Sequence, residues 1–306
     1  MRRAVLLTAV VSLTLVATAV GATITPAPVI DTRLDERNPA ASADYLAWQQ
    51  NSEARPRHYD VYVLPAGGES FKVNAAGTEG AMGGIDGTTL VYQEYQSKKI
   101  RSDLKLFDLA SRTSSDLPNG VNTDEWEFWP SISRGMLLFG RHAIRSGNDS
   151  IILFDLSTGE SLTLAESSGH SRSLSPGQVN GNFAVWDRTV FKHGALVSCE
   201  VFVYDMLAGT TTQVPNPRHL CQWGASVGPM GAVYYGRSGM GCGTWSKLMS
   251  YPYGGPPSVV VSLPRGTDFA TSYALYESDG STTVFFDPAS CGDDEDIYKV
   301  NVPSGS

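Results

Sequence analysis

The stretch "SIILFDLSTGE", residues 150 to 160, decides the fold of this chain. An apolar run ending at Asp155 enters a Ser/Thr/Gly turn, the composition of a strand that reverses in a tight hairpin. The segment recurs as "DVYVLPAGGES" (60 to 70), "DLKLFDLASRT" (103 to 113), "EVFVYDMLAGT" (200 to 210), "KLMSYPYGGPP" (247 to 257) and "DIYKVNVPSGS" (296 to 306). The first apolar residues of the six copies, Val61, Leu104, Ile151, Val201, Leu248 and Ile297, stand 43, 47, 50, 47 and 49 positions apart.

A second marker precedes each copy: "LAWQQ", "LVYQE", "LLFGR", "AVWDR", "VYYGR" and "VFFDP". Its aromatic residues, Trp48, Tyr92, Phe139, Trp186, Tyr235 and Phe286, are spaced by 44, 47, 47, 49 and 51. In the last unit Tyr276 of "ALYES" competes with Phe286, but it would leave a connection about twice as long as the others, against the preference for short hairpin loops. Each unit reads as a small-residue strand such as "WPSIS", the aromatic strand, a loop, the strand ending in Asp, a turn, and a polar outer strand such as "ESLTLAE". Four strands repeating every forty-odd residues predict an all-β chain, a six-bladed β-propeller. The blades are expected at about 39–74, 80–118, 126–166, 173–215, 221–264 and 268–306, forming a single domain over 23–306. The six aromatics are expected to pack between blades.

The final unit stops at its turn, so blade six lacks an outer strand. An open edge would present unpaired backbone groups. The spare strand is "APVIDTRLDE", residues 27 to 36, which belongs to no complete unit and is expected to close blade six from the other end of the chain.

Residues 1–22, "MRRAVLLTAVVSLTLVATAVGA", have a charged start, an apolar stretch and a small-residue cleavage site, and read as a secretory signal peptide. The reading that follows is a secreted protein, extracellular, or periplasmic if the source has an outer membrane, with no membrane span and monomeric. Without Arg2 and Arg3 the chain keeps 21 basic against 31 acidic residues, a net charge of −10 that argues against nucleic acid as a partner. Four cysteines in an exported chain suggest two disulfides. The blade topology brings Cys199 near Cys221 and Cys242 near Cys291, the pairing expected among three possibilities.

The repeated φ-x-φ-[FY]-D-[LM] segment, clearest in residues 152–159 and 201–209, together with "WPSIS" ahead of "LLF", resembles the TolB-like propeller repeats of exported bacterial proteins. The resemblance covers nearly all of the mature chain and implies an exported binding or scaffolding module. It departs most in blades five and six, where Pro252 and Asn301 replace the strand-ending Asp. The family carries an α/β domain ahead of its blades for which this chain has no room, so the propeller alone is implied, and a place in the Tol-Pal system does not follow.

Catalytic motifs are weak. "GASVG" (224 to 228) matches the nucleophile elbow in letters but falls in a strand with no helix to follow. His58, His142, His170, His193 and His219 are spread over different blades, without a carboxylate pattern for metal. Asp293, Asp294 and Asp296 in "CGDDED" could offer calcium their oxygens but lack EF-hand spacing, and read as a solvated acidic turn. No cofactor is expected.

Charge placement is more informative. The loops between second and third strands of blades one to five carry 11 of the 21 mature basic residues against seven acids. They share one face of the ring, so Arg55, Arg57, Lys98, Arg101, Arg141, His142, Arg188, Lys192, His193 and Arg237 form a candidate partner-binding face. The partner expected is a protein or an anionic envelope polymer, since charge complementarity steers association and register. The competing expectation is a carbohydrate-active hydrolase or lyase at the channel mouth, which would need two carboxyls at a defined separation. Its candidates are Glu125, Glu127, Asp187, Asp268 and Asp287.

Overall fold

The computed structural model describes residues 25–52, 55–96, 101–216, 220–239, 245–290 and 296–303. The signal segment, Lys98, Cys242, Cys291, Asp293, Asp294 and His219 lie outside the described residues, as do the side chains of Arg55, Arg57, His170 and Asp268.

Six antiparallel four-stranded sheets form a six-bladed β-propeller. The first strand, β1 (Ala27–Ile30), belongs to the last blade. Blade one is β2 (Glu36–Ala41), β3 (Tyr45–Ser52), β4 (Arg55–Pro65) and β5 (Phe71–Lys72). Blade two is β6 (Thr78–Asp86), β7 (Thr89–Gln96), β8 (Ser102–Asp108) and β9 (Thr113–Asp116). Blade three is β10 (Trp126–Ser133), β11 (Met136–Ala143), β12 (Asn148–Asp155) and β13 (Ser161–Glu166). Blade four is β14 (Arg172–Asn180), β15 (Phe183–Lys192), β16 (Ala195–Asp205) and β17 (Thr210–Gln213). Blade five is β18 (Cys221–Val227), β19 (Val233–Ser238), β20 (Ser246–Tyr251) and β21 (Ser258–Ser262). Blade six is β22 (Thr267–Tyr276), β23 (Thr282–Ser290), β24 (Ile297–Val302) and, outermost, β1.

The ring closes as the half-hairpin at the end of the sequence requires. Ala27 pairs with Lys299, Pro28 with Tyr298 and Ile30 with Ile297, so β24 is covered rather than left as an edge. The closing strand is shorter than the expected 27–36. The Thr32 hydroxyl accepts from the Leu34 amide and donates to the Glu36 carboxylate, turning the chain so that Glu36 opens blade one.

Both repeat markers become core. Val61, Leu104, Ile151, Val201, Leu248 and Ile297 are buried, as are Trp48, Tyr92, Phe139, Trp186, Tyr235 and Phe286. The aromatics lie in the second strands and pack with apolar residues of their own and adjoining blades. Phe286 lies in β23, whereas Tyr276 ends β22 half exposed, which decides the register of blade six.

Cys199 of blade four and Cys221 of blade five form a disulfide, with Cα atoms 4.5 Å apart. It joins the third strand of one blade to the inner strand of the next across 22 positions of sequence. Replacing both by alanine should lower stability by about 3 kcal/mol, the chain-entropy value for a loop of that size. A urea midpoint equal to that of the parent would show that the blades hold this seam without it.

Candidate functional site

The inner strands β2, β6, β10, β14, β18 and β22 ring the channel, and each carries a bulge at the same depth. Register aligns Asn38, Met82, Trp129, Pro176, Gly224 and Thr271 at the bulge, spaced by 44, 47, 47, 48 and 47 residues. In alternate blades this residue is left-handed, with φ of 54° at Asn38, 49° at Trp129 and 61° at Gly224. Such a bulge turns its N–H out of its own ladder, and a buried N–H needs an acceptor. The preceding blade supplies one from the residue after its marker aromatic. Asn38 donates to Asp287 Oδ2 at 2.8 Å, Trp129 to Gln93 Oε1 at 3.4 Å and Gly224 to Asp187 Oδ2 at 2.7 Å. Blades three and five have Gly140 and Gly236 at that position, because a Cβ there would lie 2.4 Å from the Phe128 ring and 2.2 Å from the Phe269 ring.

Two residues deeper the ring reads Ala40, Gly84, Ser131, Gln178, Ser226 and Tyr273. Four are small and two are long, and the two long ones close the channel. The Tyr273 hydroxyl crosses to blade two and donates to the Ile85 carbonyl at 2.9 Å. Gln178 Nε2 donates to the Ala274 carbonyl at 2.9 Å, while its Oε1 accepts from Val227 and Ala274 amides. Burial pushes the Tyr273 hydroxyl up to about 12, so it stays a neutral donor.

Above this floor, on the face of the second-to-third-strand loops, lies a cavity of about 540 Å³ lined by residues of all six blades. Tyr59, Tyr95, Trp129 and Trp223 give it aromatic walls, with Arg37, Glu79 and Asp187 as its charged groups. Arg37 is bonded to Asp35 at 2.7 Å, and Glu79 to His58. The opposite mouth opens on a smaller space of about 300 Å³ below Gln178 and Tyr273.

Asp187 and Asp287 occupy equivalent positions but differ in their donors. Asp287 Oδ1 accepts from the Thr271 amide at 2.5 Å and hydroxyl at 2.9 Å. The register puts Pro176 where Thr271 stands, and proline has no N–H. Asp187 Oδ1 is consequently buried with no normal hydrogen bond among the described residues. Burial pushes Asp187 up to about 7, opposed by the amides of Gly224 and Ala225. Burial raises Asp287 less, to about 6, because Asn38 and Thr271 hold it down.

Several residues of the candidate face are paired within the chain. Arg101 binds Asp124 at 2.6 Å, Arg188 binds Glu200 at 2.5 Å and His142 binds Asp149 at 2.7 Å. Arg141 binds buried Glu127 at 2.9 Å and donates to the Gly120 and Val121 carbonyls. Burial raises the Glu127 carboxyl even so. In blade five the counterparts are Gln222 and Arg237, cross-strand neighbours whose Oε1 and Nε are buried without partners among the described residues. Lys192 and His193 stand exposed at the tip of the β15–β16 hairpin, His193 with a φ of 52°.

Of the carboxylates expected for hydrolysis, Asp187 lines the cavity. Glu125 instead accepts from the Ile144 amide, Glu127 is taken by Arg141, and Asp287 by Asn38 and Thr271. Ser226 of "GASVG" is a buried channel residue sharing a hydrogen bond with Ser272 at 2.8 Å. The aromatic walls and the Gln178–Tyr273 floor were not singled out from sequence. Applying the 47-residue period to the first strand exposes Gln178 and Tyr273 as long residues in a row of small ones.

No protein-family model and no curated protein matches the chain. Solved structures do. TolB from Acinetobacter baumannii is 15% identical with a TM-score of 0.56, over 86% of this chain and 65% of that one. An oligogalacturonate lyase from Vibrio parahaemolyticus is 11% identical with a TM-score of 0.55, over 92% and 98%. A gluconolactonase from Xanthomonas campestris is 12% identical with a TM-score of 0.57, over 92% and 94%. At these identities the likeness is one of fold. The chain has the six-bladed propeller fold seen in TolB-like proteins.

Proposed function

We propose that this chain is an exported, non-catalytic binding propeller that docks a protein partner on the face of the second-to-third-strand loops, with the cavity as its point of engagement. The observation that carries the reading is the cavity itself, walled by all six blades on that face and closed below by Gln178 and Tyr273. A concave site with aromatic walls and few polar groups is the usual form of a binding pocket. Export is supported by residues 1–22 and by the Cys199–Cys221 disulfide. Among the described residues of that face, Arg101, Arg141, His142 and Arg188 are paired internally, while Lys192 and His193 stand exposed to an anionic partner. A carbohydrate-active enzyme is the second reading, favoured by the aromatic walls and by the lyase and lactonase likenesses.

A photo-crosslinking residue at Thr189 or Lys192 should form a partner adduct in the native envelope or culture fluid. The same residue at Leu207, in the turn at the far end of blade four, should form none. An adduct from Leu207 alone would overturn the docking face.

A further inference from the structure

Resting on that docking reading, we propose that the corner of the cavity between blades four and five is a niche for a primary ammonium group, with Asp187 as its anion. Ser175, Asp187 and Thr189 line the cavity there. Ser175 pairs with Asp187 across β14 and β15, and Thr189, two residues on, shares its face of the strand. The corner therefore holds a carboxylate and two hydroxyls, acceptors suited to the three protons of an ammonium.

Charge identifies the ligand class. Arg37 and Glu79, the other charged groups on the wall, are bonded to Asp35 and His58. Asp187 is 7% exposed and, among the described residues, has no cation beside it and keeps one oxygen without a normal hydrogen bond. Among the described residues, an anionic ligand would meet a buried carboxylate with no free cation on the wall to offset it. A cation would supply the missing counter-charge and donor together. Oδ1 is covered. Presenting it turns the carboxylate about the Cβ–Cγ bond, a terminal sp³–sp² torsion with broad minima, and gives up the bond from the Gly224 amide to Oδ2 in exchange for the ammonium.

Two sources carry this chemistry, a lysine side chain of the docked partner and a free small amine. The test is calorimetric titration at pH 8 with Nα-acetyl-lysine methylamide, butylammonium and the neutral Nα-acetyl-norleucine methylamide. The lysine derivative should bind and the norleucine derivative should not. Asp187→Asn should weaken binding by about thirtyfold or more, the usual consequence of removing one member of a buried charge pair. Thr189→Val, which leaves the carboxylate in place, should weaken it several-fold. Butylammonium binding as tightly as the lysine derivative assigns the niche to free amines, and weaker binding assigns it to a side chain. Equal binding of the norleucine derivative, or unchanged affinity in folded Asp187→Asn, overturns the proposal. A crosslink from Leu207 alone would remove the docking reading while leaving the ammonium result standing.

Discussion

Removing residues 23–30 should cost the chain roughly 4 to 6 kcal/mol, from half-buried apolar area and ladder hydrogen bonds lost together. Val29 and Ile30 pack against the core shared by blades six, one and two, and β1 pairs with β24 along Ala27, Pro28 and Ile30. Without them β24 becomes an open edge and the first and last blades lose their covalent continuity. Domains are stable by only about 5 to 15 kcal/mol, so the loss is a large fraction of the total. Urea unfolding followed by tryptophan fluorescence should show a far lower midpoint, and size-exclusion chromatography should show association through the bared edge. A truncated chain that stays monomeric with its midpoint unmoved would mean that the ring is held elsewhere.

The stability of the Asp187→Asn variant relative to the parent should rise by about 2 to 3 kcal/mol between pH 5 and pH 8. Burial lifts the folded carboxyl from its ordinary value of 3.8 to about 7, so between those values the folded chain holds a proton that the unfolded chain releases. The stability from this group is fully present below about pH 3.8 and is lost as pH rises through about 7. No charged side chain contributes to the shift, which is set by burial and by the Gly224 and Ala225 amides. Asparagine keeps an oxygen for the Gly224 amide, and its nitrogen brings buried donors with no acceptor among the described residues, a cost that does not change with pH. Thermal melts of both proteins at pH 5, 6.5 and 8 would check this, and parallel curves would contradict the buried ionisation. Asp287→Asn should not stabilise in the same way, because Asp287 Oδ1 would lose acceptance from both the Thr271 amide and hydroxyl.

The two aspartates mark how far the sequence could be read. "AVWDR" and "VFFDP" look alike, and both acids were candidates for catalysis. Their different states depend on Pro176 and Thr271, which lie 11 and 16 residues earlier on the paired strand. The same holds for the charged face. A count of lysines and arginines cannot show that Arg101, Arg141 and Arg188 are bound to Asp124, Glu127 and Glu200, because one of those acids sits on a first strand and one in the connection leading to it, outside the loops counted.

What the sequence determined by itself is the architecture: the two markers of each unit, the six aromatics between blades, and the seam that joins "APVIDTRLDE" to "DIYKVNVPSGS". These follow from hydrophobic periodicity and turn composition, which are local and repeat six times. What only the tertiary structure decided is the cavity. Its floor is two side chains meeting backbone of other blades across the ring, Tyr273 at Ile85 and Gln178 at Ala274, 188 and 96 residues away. Its acid without a counter-charge among the described residues, Asp187, owes that state to a proline that removes a single N–H beside a bulge. Contacts at such separations are set by how the blades pack around the axis, and no pattern within a repeat encodes them.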